Sequence, residues 1–129
     1  MVFLDVNKKM WVIRELEIPV IENVSMKEMS WFRNKLKDVT KIEQEGNITQ
    51  TEAFAIDDEW WEKTAQVGLG VSVDDVLESG CTEPEFRELM AEVYAFLATS
   101  GTIERAKQSA LYAVGTQKKE LLQKETTQN

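Results

Sequence analysis

The sequence predicts a mainly α-helical chain of four to five short helices behind a small N-terminal β-hairpin. Two observations carry this. Ser or Thr stands before a helical apolar run at Ser25, Ser72 and Thr82, where its side chain can satisfy an orphan backbone amide. Glycine then stops the runs at Gly68, Gly80 and Gly101, where a left-handed turn is expected.

Taken in order, Val2–Val6 and Met10–Ile13 are rich in strand formers, with Asn7-Lys8-Lys9 as the turn between them. Ile18-Pro19-Val20-Ile21 is extended but holds a proline, so it reads at most as an edge strand. Ser25-Met26-Lys27-Glu28 has the form of a capping box. Met29, Phe32, Leu36 and Val39 then share one face of a helix expected over about Ser25–Lys41. Glu43–Gln50 contains Gly46 and Asn47 and reads as a loop. Ala53, Ile56, Trp60, Thr64 and Val67 form the next helical pattern, ending at Gly68, with Gly68-Leu69-Gly70 as a linker.

Ser72 opens a short helix through Val73, Val76 and Leu77. Thr82-Glu83-Pro84-Glu85 is a second capping box, followed at helical spacing by Phe86, Leu89, Met90, Val93, Phe96 and Leu97. A last helix is expected from about Thr102, with Ile103, Ala106, Ala110, Leu111 and Val114 inward and Gly115 weakening it. The domain is expected over 1–116, and the polar stretch 117–129 as a frayed tail. The expected core is Phe32, Leu36, Trp60, Val76, Leu77, Phe86, Leu89, Val93 and Leu97.

Bulk composition narrows the function. At 129 residues the chain fits one domain. A net charge of −8 disfavours nucleic-acid binding, because attraction to phosphates supplies most of that affinity. There is no histidine, which removes the usual general base near neutral pH and the commonest metal ligand. Cys81 is the single cysteine, so neither an internal disulfide nor a cysteine-built zinc site is available. It reads as a small linker residue between Gly80 and Thr82. Asp57-Asp58-Glu59 and Asp74-Asp75 sit where first turns of helices favour acids, and calcium-loop spacing surrounds neither. Gly68-Leu69-Gly70 lacks the lysine and the strand–helix context of a phosphate loop. No apolar run approaches the ~20 residues needed to span a bilayer. The N-terminus lacks a signal-peptide pattern. The expectation is a non-enzymatic cytoplasmic protein with no cofactor and no metal.

The charges are segregated. Residues 1–41 balance to +2, residues 42–101 to −12 and residues 102–129 to +2. Solvated helix faces account for most individual charges. The segregation also allows the basic first helix (Lys27, Arg33, Lys35, Lys37, Lys41) to meet the acidic middle of a neighbouring subunit. Such a head-to-tail contact closes into a ring or grows into a helix. Trp60 and Trp61 are adjacent and therefore about 100° apart around a helix. Trp60 fits the apolar face. Trp61 either widens that face or anchors a partner, and Trp31 is a second candidate anchor.

The order of pieces resembles the tail assembly chaperones of long-tailed bacteriophages. The matching residues are Leu16-Glu17-Ile18-Pro19-Val20, then Val24-Ser25-Met26-Lys27-Glu28-Met29, Val73-Asp74-Asp75-Val76-Leu77-Glu78-Ser79 and Glu85–Val93. The resemblance spans about Ile13–Leu97, while Trp60-Trp61 and Thr102–Asn129 have no counterpart in it. It implies a small acidic helical protein in the host cytoplasm, without catalytic residues, that forms a homo-oligomer. Such a protein binds the aggregation-prone tape measure protein and helps the tail tube, built of tail tube protein, form around it. A longer frameshifted form is common in such families, and Gln117-Lys118-Lys119-Glu120 is compatible with an A-rich slippery run. The alternative reading is an acidic inhibitor or DNA mimic that binds a basic partner. A mimic should present acids at phosphate-like spacing on one exposed face, whereas a chaperone should expose an apolar patch or groove. Elemental analysis of the natively purified protein is expected to find no stoichiometric transition metal.

Overall fold

The computed structural model describes residues 3–46 and 48–109. They form a mainly helical body with a three-stranded antiparallel sheet at its N-terminal end. Strands β1 (Leu4–Asp5), β2 (Met10–Ile13) and β3 (Leu16–Pro19) pair in sequence order. Leu4 stands opposite Trp11, and Trp11 opposite Ile18. The carboxylate of Asp5 shapes the first turn by accepting from the amides of Asn7 (3.1 Å) and Lys8 (3.0 Å).

The hairpin expected from the sequence is thus extended by one strand, and its proline lies on the sheet edge. The turn into β3 is made by Arg14 and Glu15, with Arg14 at φ 55°. That left-handed conformation costs a residue with a side chain about 1–2 kcal/mol. Strand alternation turns Trp11, Ile13 and Ile18 inward, and all three are buried.

Helix α1 spans Met26–Glu45, four residues beyond the expected end. Nothing between Lys41 and Glu45 breaks a helix; Gly46 at φ 74° does. The region read as a loop over 43–50 therefore begins only at Gly46. Ser25 accepts from the Glu28 amide at 3.2 Å, but the expected reciprocal bond from Glu28 is not made. Thr49 caps α2 (Gln50–Thr64), accepting from the Glu52 amide at 3.2 Å.

Helix α2 runs on through a π-helical turn, Ala65–Leu69, and closes at Gly70 with φ 69°. The expected linker is corrected here: Gly68 and Leu69 belong to that turn and are buried. A Cβ on Gly68 would lie 2.4 Å from Val93 Cγ1, so glycine at this point is a condition of close approach.

Helices α3 (Val73–Leu77) and α4 (Glu83–Ala95) both begin with complete capping boxes, Ser72 with Asp75 and Thr82 with Glu85. A π-helical turn, Phe96–Ser100, continues α4 to Gly101. Residues 103–109 form α5. Its first amides are met by Glu22, which accepts from Ile103 at 2.7 Å, and by Thr102, which accepts from Arg105 at 3.2 Å. Ala110, Leu111, Val114, Gly115 and the expected tail 117–129 lie outside the described residues.

One core joins the inner face of the sheet to α2, α3, α4 and α5. It holds Trp11, Ile13, Ile18, Ala65, Leu69, Val76, Phe86, Leu89, Met90, Val93, Phe96 and Ile103. Trp11 meets Phe96 edge to face at 5.6 Å. Of the core expected from sequence, Phe32, Val76, Phe86, Leu89 and Val93 are buried, and Trp60 and Leu97 are half-buried.

Leu36 and Leu77 correct it, at 50% and 47% exposed. Leu77 ends a five-residue helix whose inward position is taken by its neighbour Val76, about 100° away. Leu36 lies on α1, which buries Phe32 alone among its 20 residues.

An ion pair ties the turn between β2 and β3 to the start of α4. Arg14 Nη2 donates to Glu85 Oε1 at 2.5 Å, and the same oxygen accepts from the amide and the hydroxyl of Thr82. The Arg14 hydrogen bond, helped by those of Thr82, holds the Glu85 carboxyl below its ordinary range.

Two outcomes follow for stability. Leu89→Ala should cost ~2–5 kcal/mol in chemical denaturation, because Leu89 is fully buried, whereas Leu36→Ala should cost far less. A folded-state pKa below the unfolded one gives stability that is present above the unfolded value, about 4.3, and lost as pH falls through the folded value. The denaturation midpoint should therefore drop on acidification, and Glu85→Gln should reduce that drop.

Candidate functional site

The distinctive surface is α1. In a folded protein most of a helix's stability comes from tertiary packing of one face. Here the support is local. Phe32 inserts among Trp31, Trp60 and Tyr94, with ring centroids 4.9–5.3 Å from it. Trp31 also meets Trp60 at 6.1 Å and carries the ammonium groups of Lys35 and Lys63 at 5.9 and 5.8 Å. Lys35 further pairs with Glu59 on α2. This aromatic clasp fixes α1 to α2 and to Tyr94 of α4.

The other faces of α1 are largely open. Met26 is 78% exposed and Leu36 50%. Between α1 and the end of α4 runs a crevice of about 400 Å³ whose apolar lining includes Val24, Met26, Met29, Phe32, Leu36 and Leu97, with Arg33 as its one charged residue. A shallow groove of about 390 Å³ continues along α1 past Arg33, Leu36, Lys37, Thr40, Lys41 and Gln44. Among the described residues, every charged side chain lining the two is cationic, in a chain of net charge −8.

The candidate partner residues separate into two groups. Trp31 and Lys35 are half-buried and engaged in the clasp. Trp61 is half-buried against Phe86, edge to face at 5.5 Å, with the Arg87 guanidinium 5.6 Å from its ring. Its part in widening the core face is thereby met. Lys27, Arg33 and Lys37 are exposed on α1, and Arg33 and Lys37 line the grooves.

Sequence reasoning missed Met26, Leu36 and Phe54 as surface features. Phe54, 55% exposed, falls off the apolar stripe Ala53–Ile56–Trp60, and that displacement was its signal.

Among the described residues, no group of three or more Cys, Asp or Glu is placed to hold a metal ion. Asp57 and Asp58 lie in the third turn of α2, not its first as expected, because Thr49 opens the helix earlier. Asp74 and Asp75 do lie in the first turn of α3. Cys81 is half-buried, its thiol directed at the Val76 carbonyl at 3.8 Å. No helix among the described residues is long and apolar enough to cross a membrane. Compared with known proteins, the chain matches no family model, no curated protein and no solved structure.

Proposed function

We propose that this protein is a non-enzymatic phage tail assembly chaperone that works in the host cytoplasm. It holds an apolar helical segment of the tape measure protein while the tail tube protein assembles around it. The observation that carries this reading is the apolar crevice between α1 and α4, with Met26 and Leu36 standing exposed at its edge. Exposed apolar grooves of this kind suit an amphipathic helix laid along them. The motif order that resembles the tail assembly chaperones supports the same reading, as do the acidic faces that keep an apolar surface soluble.

The mimic reading fits less well. Glu22, Asp75 and Glu85 cap backbone amides, and Glu59 answers Lys35, so these acids serve the fold.

The test is suppression of tape measure aggregation, followed by light scattering with purified protein. Wild type is expected to hold a tape measure fragment soluble. Met26→Glu places an acid in the first turn, where the helix dipole favours it, so the fold is kept. Loss of one buried methionine contact should weaken capture about tenfold or more. Equal suppression by Met26→Glu and wild type would remove the crevice from the mechanism.

A further inference from the structure

Of the three exposed large apolar side chains on the α1–α2 pair, Leu36 and Phe54 are each flanked by one sign of charge. Leu36 on α1 is followed by Lys37, and Arg33, Lys37 and Lys41 stand four residues apart, so they form one row. Phe54 on α2 is followed at three and four residues by Asp57 and Asp58, its neighbours on the helix surface. All five charged residues are exposed, and among the described residues none of them makes an ion pair. The within-chain pairing of the two helices uses Lys35 and Glu59 instead.

We propose that the Leu36 face of α1 in one copy docks on the Phe54 face of α2 in a second copy. Leu36 and Phe54 form the dry centre. The Arg33–Lys37–Lys41 row faces Asp57 and Asp58 across it. Charge complementarity selects this occupant. Residues 110–129 of the same chain hold three lysines against two glutamates, so they offer the cationic row no net negative charge. The second copy offers two acids beside an exposed aromatic ring.

The two halves of the seam differ, so each copy carries one of each. Two copies exchange both halves in a closed pair, or each passes one on to the next. The seam covers α1 from Arg33 to Lys41 and leaves Met26, at the other end of the crevice, open. It requires no client, and its only link to the chaperone reading is that α1 is a docking helix in both.

A charge swap tests it. One variant carries Lys37→Glu and Lys41→Glu; the other carries Asp57→Lys and Asp58→Lys. All four positions are exposed, and circular dichroism should show both variants folded as wild type. In sedimentation velocity at low salt, wild type is expected to self-associate. Each variant alone should weaken association at least about tenfold, since like charges then face each other across the seam. Mixing the two variants should restore it, because acidic α1 meets basic α2 and basic α1 meets acidic α2.

Wild type that stays monomeric at high concentration and low salt overturns the seam. So does a mixture no more associated than its components, or a single variant that associates as wild type does. Light scattering with the tape measure fragment reads the chaperone reading separately. Client capture by a monomeric wild type would keep that reading and discard the seam. A restored mixture without client capture would do the reverse.

Discussion

The structure turns on the crossing of α2 and α4 at Gly68. There the backbone of one helix comes close enough to Val93 and Leu97 of the other that no side chain fits between. This contact holds the end of α2 against the middle of α4, where Leu89, Met90 and Val93 are buried. Once that angle is set, Trp61 meets Phe86, and the sheet covers the remaining face through Trp11 and Phe96. The aromatic clasp around Phe32 then follows, because Trp60 and Tyr94 already stand side by side, 5.1 Å apart.

Helix starts were legible where a side chain has a fixed local task. Thr82 and Glu85 satisfy each other's backbone, so their spacing alone marks the start of α4. Thr49 does the same work without a partner at the third position that bonds back, and it was hidden inside an expected loop. The start of the third strand, expected at Ile18 and found at Leu16, was obscured for a different reason. Its turn uses Arg14 in a left-handed conformation, where glycine or asparagine would have signalled it. Gly68 misled in the opposite direction. A glycine that stops a helix and a glycine that lets two helices touch look identical in sequence.

The candidate surface was legible in charge and obscure in shape. Segregation of basic residues into the first 41 positions pointed to α1, but periodicity placed Leu36 in the core with Phe32. Both lie on the same broad apolar stripe. Which of them is covered depends on where α4 ends relative to α1, and this is a tertiary fact. Trp31 shows the converse. It looked like an anchor for a partner, yet the ammonium groups of Lys35 and Lys63 already occupy its surroundings. The open surface of α1 is therefore carried by Met26 and Leu36 rather than by Trp31, which is half-buried in the clasp.

The segment that follows the sheet is stitched to the start of the last described helix. Glu22 accepts from the amide of Ile103, and the amide of Asn23 donates to the Gly101 carbonyl at 3.0 Å. During synthesis the sheet emerges first, with Trp11, Ile13 and Ile18 made some 70 residues before the α4 side chains that cover them. At ~5–20 residues per second the ribosome leaves that apolar face bare for several seconds. The nascent chain itself is then a sticky object, and its closing stitch forms only after residue 103 has cleared the exit tunnel.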